Sequence, residues 1–183
     1  RNECLFSVEG LNRYARAIAD HKKTPIKFPI DSIEVKAAWV DFVERKIPQE
    51  KWGTYYTAEF KQKKYGLVAL HIITKDIPNW FWATFHHKDE PANPFEVVDT
   101  YGQPKILAGT VWENYKLGGT QTDFVSATGT ATILSDHYVE FGFQRSSCIT
   151  CHATATISPT GRIPKGQQKA LCSLTPNLPE FNL

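Results

Sequence analysis

KYGLVALHIITKDIPNWFWATFHH, residues 64–87, is the stretch from which the fold can be read. Its halves, KYGLVALHIITK (64–75) and NWFWATFHH (79–87), are dense in β-branched and aromatic side chains, which fit a pleated, half-buried surface. Asp76-Ile77-Pro78 between them is turn chemistry, so the stretch predicts a β-hairpin. The first strand is apolar on both faces and therefore belongs at the centre of a sheet. Outward from it, SIEVKAAWVDFV (32–43) predicts a strand leading into a short helical turn, stopped by Pro48. KWGTYYTAEF (51–60) and ILAGTVWENYKL (106–117) predict two more strands, the second ended by Gly118-Gly119. Lys88 to Pro104 carries Pro91, Pro94, Gly102 and Pro104 and predicts a long loop.

The two ends change character. LNRYARAI (11–18) has helical spacing, then runs into charge at Asp20-His21-Lys22-Lys23 and prolines at 25 and 29, so residues 1–30 read as an arm. In ATILSDHYVEFGFQRSSCITCH (131–152), Leu134, Tyr138, Phe141 and Ile149 share helical faces, with Ser135 or Asp136 near a start. This predicts a helix, weakened by about 1 kcal/mol at Gly142. Residues 153–183 read as a wrap-around tail. The expected architecture is α+β, one domain over 1–183, with a strand-rich antiparallel core and a C-terminal helix.

That helix ends in Cys148-Ile149-Thr150-Cys151-His152. Two cysteines two residues apart, followed at once by histidine, form the attachment pattern of a c-type haem. Each thiol can add to one vinyl group on the same porphyrin edge, and the histidine is then placed to ligate the iron. A zinc site built from Cys148, Cys151, Cys172 and Cys4 would leave His152 without a role. A redox dithiol would be expected after a strand of a βαβ unit, and none is legible. Haem ranks ahead of zinc, and zinc ahead of the dithiol. With no second such motif, one haem per chain is expected. Covalent attachment takes place outside the cytoplasm, so an exported, most simply periplasmic, protein that has lost a signal peptide is expected. In that compartment Cys4 and Cys172 would pair. A bridge closing so large a loop is worth on the order of 5 kcal/mol in the chain-entropy treatment.

Composition narrows the alternatives. A net charge of +2, without a basic stripe interleaved with aromatics, does not read as a nucleic-acid face. No apolar run approaches a membrane span, and no nucleophile elbow, phosphate loop or HExxH motif occurs. Asp89, Glu90 and Glu96 fall in the long loop and read as a solvated face. The chain has no methionine, so His/Met ligation from within it is excluded. In the common small cytochromes c the motif comes early. In cytochromes c′ it comes late, but on a four-helix bundle. The strand-rich middle fits neither.

Three pieces, IEVKAAW (33–39), WFWATFHH (80–87) and SSCITCH (146–152), resemble a family of exported bacterial monohaem c-type cytochrome domains. The resemblance runs roughly from Ile33 to His152. It implies one haem bound through Cys148 and Cys151 with His152 as proximal ligand, and it names no redox partner.

Two functions follow as expectations. The first is single-electron transfer to partner proteins by a six-coordinate haem, without catalysis. The second is an enzyme or sensor with an open iron position for peroxide, nitric oxide or another small ligand, using His86, His87 or Arg145 as distal group. For a sixth ligand, His137 would sit about 22 Å from His152 along a continuous helix, too far to reach the iron. A hairpin centred on Ile77 sets His71 opposite Ala83. Alternation then gathers Ala69, His71, Ile73, Phe81, Ala83, Phe85 and His87 on one face. His71 is the expected distal ligand, Phe81 and Phe85 its flanking haem contacts, and His87 the alternative. A core histidine bonded to a backbone carbonyl is the competing reading of His71.

Overall fold

The structure, a computed structural model, describes residues 28–96 and 99–153. Five strands form one antiparallel sheet: β1 (Ile33–Asp41), β2 (Thr57–Phe60), β3 (Lys63–Thr74), β4 (Phe81–His87) and β5 (Tyr115–Gln121). Their order is β1-β3-β4-β5, with β2 pairing the first residues of β3. Most of β3 is buried, as its unbroken apolar run requires of a central strand. β1 lies on the edge and passes into a helical turn at its end, where Asp41 Oδ1 accepts from the amides of Val43 and Glu44. The strand-rich antiparallel core is thus as the sequence pattern predicts.

Three boundaries differ. Only Thr57–Phe60 of the expected strand at 51–60 is extended, because a 3₁₀ helix, Gln49–Thr54, starts after Pro48. The strand expected at 106–117 is mostly two 3₁₀ turns, Lys105–Leu107 and Val111–Asn114, the second capped by the Thr110 hydroxyl accepting from Trp112 N. β5 then runs through Gly118-Gly119 instead of ending there. Gly119 has φ +143°, and a Cβ on it would lie 2.9 Å from Leu134 Cδ1. The missing side chain lets the segment that covers the sheet sit directly on β5.

That segment is not the helix expected over 131–152. Residues 131–147 are turns, and the helix α1 is confined to Cys148–Ala153. Asp136 Oδ1 accepts from Tyr138 N and Val139 N, and Glu140 N donates to Asp136 O, which makes a single turn. Gly142, at φ +85°, then reverses the chain. Leu134 consequently pairs side by side with Ser147 in a parallel bridge, where a helix would hold them about 20 Å apart. The same finding removes the helical separation assigned to His137.

The hairpin register also differs by one residue. His71 pairs with Thr84, Ala69 with His86 and Ile73 with Trp82. The loop has six residues, 75–80, so its centre falls between Ile77 and Pro78. Because alternation has period 2, one step exchanges the faces. His71 shares its face with Trp82, Thr84 and His86, whereas Phe81 and Phe85 point to the other side.

Two apolar clusters hold the covering segment to the sheet. One joins Ala38, Phe42, Tyr55, Val68, Ala69 and Val139. The other joins Ile73 and Trp82 of the sheet to Leu134, Cys148 and Ile149. The arm to residue 27, the tail beyond 153 and the expected Cys4–Cys172 bridge lie outside the described residues. Among the described residues no helix is long and apolar enough to cross a membrane.

Candidate functional site

α1 is fixed at its first turn. Ser147 precedes it, and its Oγ accepts from Thr150 N at 3.2 Å, a serine N-cap. Gln121 of β5 accepts from Ile149 N at 3.3 Å and ties the helix to the sheet. Cys148 and Cys151 stand one turn apart, Cys148 buried and Cys151 exposed. The Cys148 thiol donates to Leu134 O at 3.4 Å. Burial, with Glu140 nearby, pushes that thiol up to about 12, so it stays protonated. A reactive dithiol requires the opposite shift. Among the described residues no three His, Cys, Asp or Glu side chains converge as a metal-binding group.

The His152 ring rests on Trp82, centroids 4.6 Å apart. Burial and then Lys36 push its imidazole down to about 4. His71, on the same sheet face as Trp82, is 3% exposed, and its Nε2 has no hydrogen-bond partner among the described residues. Glu140 Oε2, at 3.6 Å, is beyond hydrogen-bonding range. Burial, Lys36 and then His152 push His71 down to about 3, which keeps it neutral with lone-pair capacity. Two neutral imidazoles, one of them unbonded, therefore face a common region between sheet and α1.

Charged groups line that region. Lys36 of β1 pairs with His71 across the strands and lies 3.9 Å from Glu140 Oε1. Glu140 is raised to about 7 by burial, a rise Lys36 only partly offsets. Glu34, two residues before Lys36, is raised to about 7 for the same reason. His86, on the face of His71, has Nδ1 3.7 Å from Glu96 Oε2.

The remaining candidates lie elsewhere. His87 is fully buried and stacked on Tyr55 at 3.6 Å. Its Nε2 is bonded to Thr54 O and its Nδ1 accepts from Asp89 N, so both nitrogens are engaged. Phe81 is 37% exposed at the start of β4, and Phe85 is half-buried opposite Leu70. Neither reaches the face of His71. Glu90, expected in a solvated loop, instead accepts from the hydroxyls of Tyr55 and Tyr138.

Sequence reasoning brought His71 and the Cys148–His152 motif to the site but missed Lys36, Trp82 and Glu140. Lys36 had a signal: charged and apolar residues alternate along IEVKAAW, so one face of β1 had to be polar. Glu140 had none, because its position depends on turns that no pattern announces. No family model, curated protein or solved structure matches the chain.

Proposed function

We propose that this chain is an exported c-type cytochrome. It carries one haem joined covalently to Cys148 and Cys151, with His152 as proximal ligand, and passes single electrons to partner proteins. The observation that carries the reading is the orphaned Nε2 of His71 on the sheet face beneath the motif. The donor set fits the group. Two thiols one helical turn apart suit thioether bonds to one porphyrin edge, and the adjacent imidazole is neutral and able to ligate. When bound, the haem supplies a one-electron redox centre. In this reading the protein residues bind and orient it. Ser147 and Gln121 fix the start of α1, Trp82 packs against the His152 ring at a tilt of 60°, and His71 offers a second imidazole. Two imidazoles without methionine give a lower potential than His/Met ligation.

The Lys36–Glu140 pair favours a second reading, an enzyme or sensor with one iron position open. There His71 stays unligated. Glu140, which keeps its proton to about 7, would hold or deliver a proton to a small ligand such as peroxide or nitric oxide.

The test is mass and colour. The denatured protein should be heavier than the polypeptide by one haem, and acid–organic extraction should leave the colour with the protein. Freely extracted colour defeats both haem readings. A colourless protein leaves the structural zinc domain. Between the haem readings, sharp low-spin bands select electron transfer and a high-spin spectrum selects the open site.

A further inference from the structure

The loop after β4 and the turns before α1 meet in a groove of about 670 Å³ that contains none of the residues proposed to hold the haem; Arg145, expected as one candidate distal group, lines this groove. Phe95 and Phe143 line it and are 36% and 64% exposed. The Arg145 guanidinium lies 5.0 Å from the Phe95 ring centroid, held there by cation–π attraction. Among the described residues Arg145 makes no ion pair, and no carboxylate lines the groove. His137 lines it too, its ring edge-on to Phe141. Ser146 completes it.

We infer that this groove binds a small planar carboxylate of the aromatic-acid class. A guanidinium fork matches a carboxylate through two parallel hydrogen bonds, and Arg145 presents one with its charge uncompensated. Phe95 and Phe143 offer aromatic faces to a flat apolar body. The volume falls within the roughly 300–1,000 Å³ of small-molecule sites. A cationic ligand would be repelled, and a neutral one would leave the arginine without a counter-charge.

The experiment uses ¹⁵N-labelled protein as purified, titrated with phenylacetate and, separately, with its neutral counterpart 2-phenylethanol. Phenylacetate should shift the amides of Gly142, Phe143, Arg145 and Ser146 saturably. Arg145→Gln should weaken binding about tenfold or more, the weight of a charge-assisted hydrogen bond, and the alcohol should bind the wild type at least as weakly. Arg145 is exposed, so the variant keeps its fold, which unchanged amide positions across the sheet verify. Absence of saturation, equal binding of the alcohol, or wild-type affinity in Arg145→Gln each overturns the inference.

Discussion

An imidazole that is 3% exposed with an unbonded nitrogen carries a desolvation penalty of roughly 1–3 kcal/mol, and a stable fold retains such a group where it has another use. His71 and His87 make the contrast. Both are buried, but His87 has both nitrogens bonded and its ring stacked on Tyr55, which describes a structural residue. His71 has a free Nε2 on the face that carries Trp82, on which His152 rests. In the electron-transfer reading, His71→Ala removes an iron ligand and should turn a low-spin absorption spectrum high-spin. His87→Ala should leave the spectrum unchanged and lower stability by about 1–3 kcal/mol, through the lost packing and hydrogen bonds of a buried side chain. The reverse pattern would exchange their roles. An unchanged spectrum in both variants would move the reading to the open site.

Among the elements, β3 is fixed by what packs against it. Gly66 is required there: a Cβ would lie 2.3 Å from Phe42 Cε1 and 3.1 Å from Tyr55 Cδ1. Phe42 cannot yield, since its ring is fully buried, stacked on Trp52 at 4.9 Å and edge-on to Tyr55. Gly66→Ala should cost about 1–3 kcal/mol by overpacking. At about 2–4 °C per kcal/mol for a chain of this size, the fall is measurable as a melting temperature. A variant as stable as the wild type would mean that β1 and β3 separate more readily than this packing allows. The same strand shows how much of the fold was legible. Its unbroken apolar run identified the central hairpin, because burial on both faces leaves a compositional mark. Its register did not show, because pairing depends on whether the loop holds five residues or six, and propensity does not resolve one residue. The helix expected at 131–152 failed for a related reason. Leu134, Tyr138, Phe141 and Ile149 have helical spacing, but Asp136 side-chain bonding and the positive φ of Gly142 convert the segment to turns. Of the candidate site, the cysteines and His152 were proposed from spacing alone. The Lys36–Glu140 pair was not, since it joins an edge strand to that turn segment.

Over the whole molecule, β1 is inverted: Ile33 and Val35 are 68% and 52% exposed, while Glu34 and Lys36 are half-buried. Inward charges guard an edge strand against pairing with other chains, and here they also set the proton balance of the interior. Two groups of residues oppose each other. Burial lowers His86 and His87 from 6.5, so they contribute stability that is present above 6.5 and lost as pH falls through and below that value. Burial raises Glu34 from 4.5 to about 7 and Asp136 from 3.8 to about 6. Their contribution is complete below the unfolded values and is lost as pH rises through 6 to 7. Between about 5 and 7 these two sets have slopes of opposite sign and offset each other in part. Glu34→Gln separates them. Below pH 4.5 the carboxyl is protonated in both states, and the amide should match it. As pH rises through 7, the wild type must bury an ionised group beside Lys36, whereas the variant does not. The variant's advantage should therefore grow from near zero at pH 4.5 to roughly 1–3 kcal/mol at pH 8 and level off above that. Urea denaturation across this range measures it. A difference constant with pH would mean that Glu34 titrates as in an unfolded chain and that β1 does not press its charges into the site.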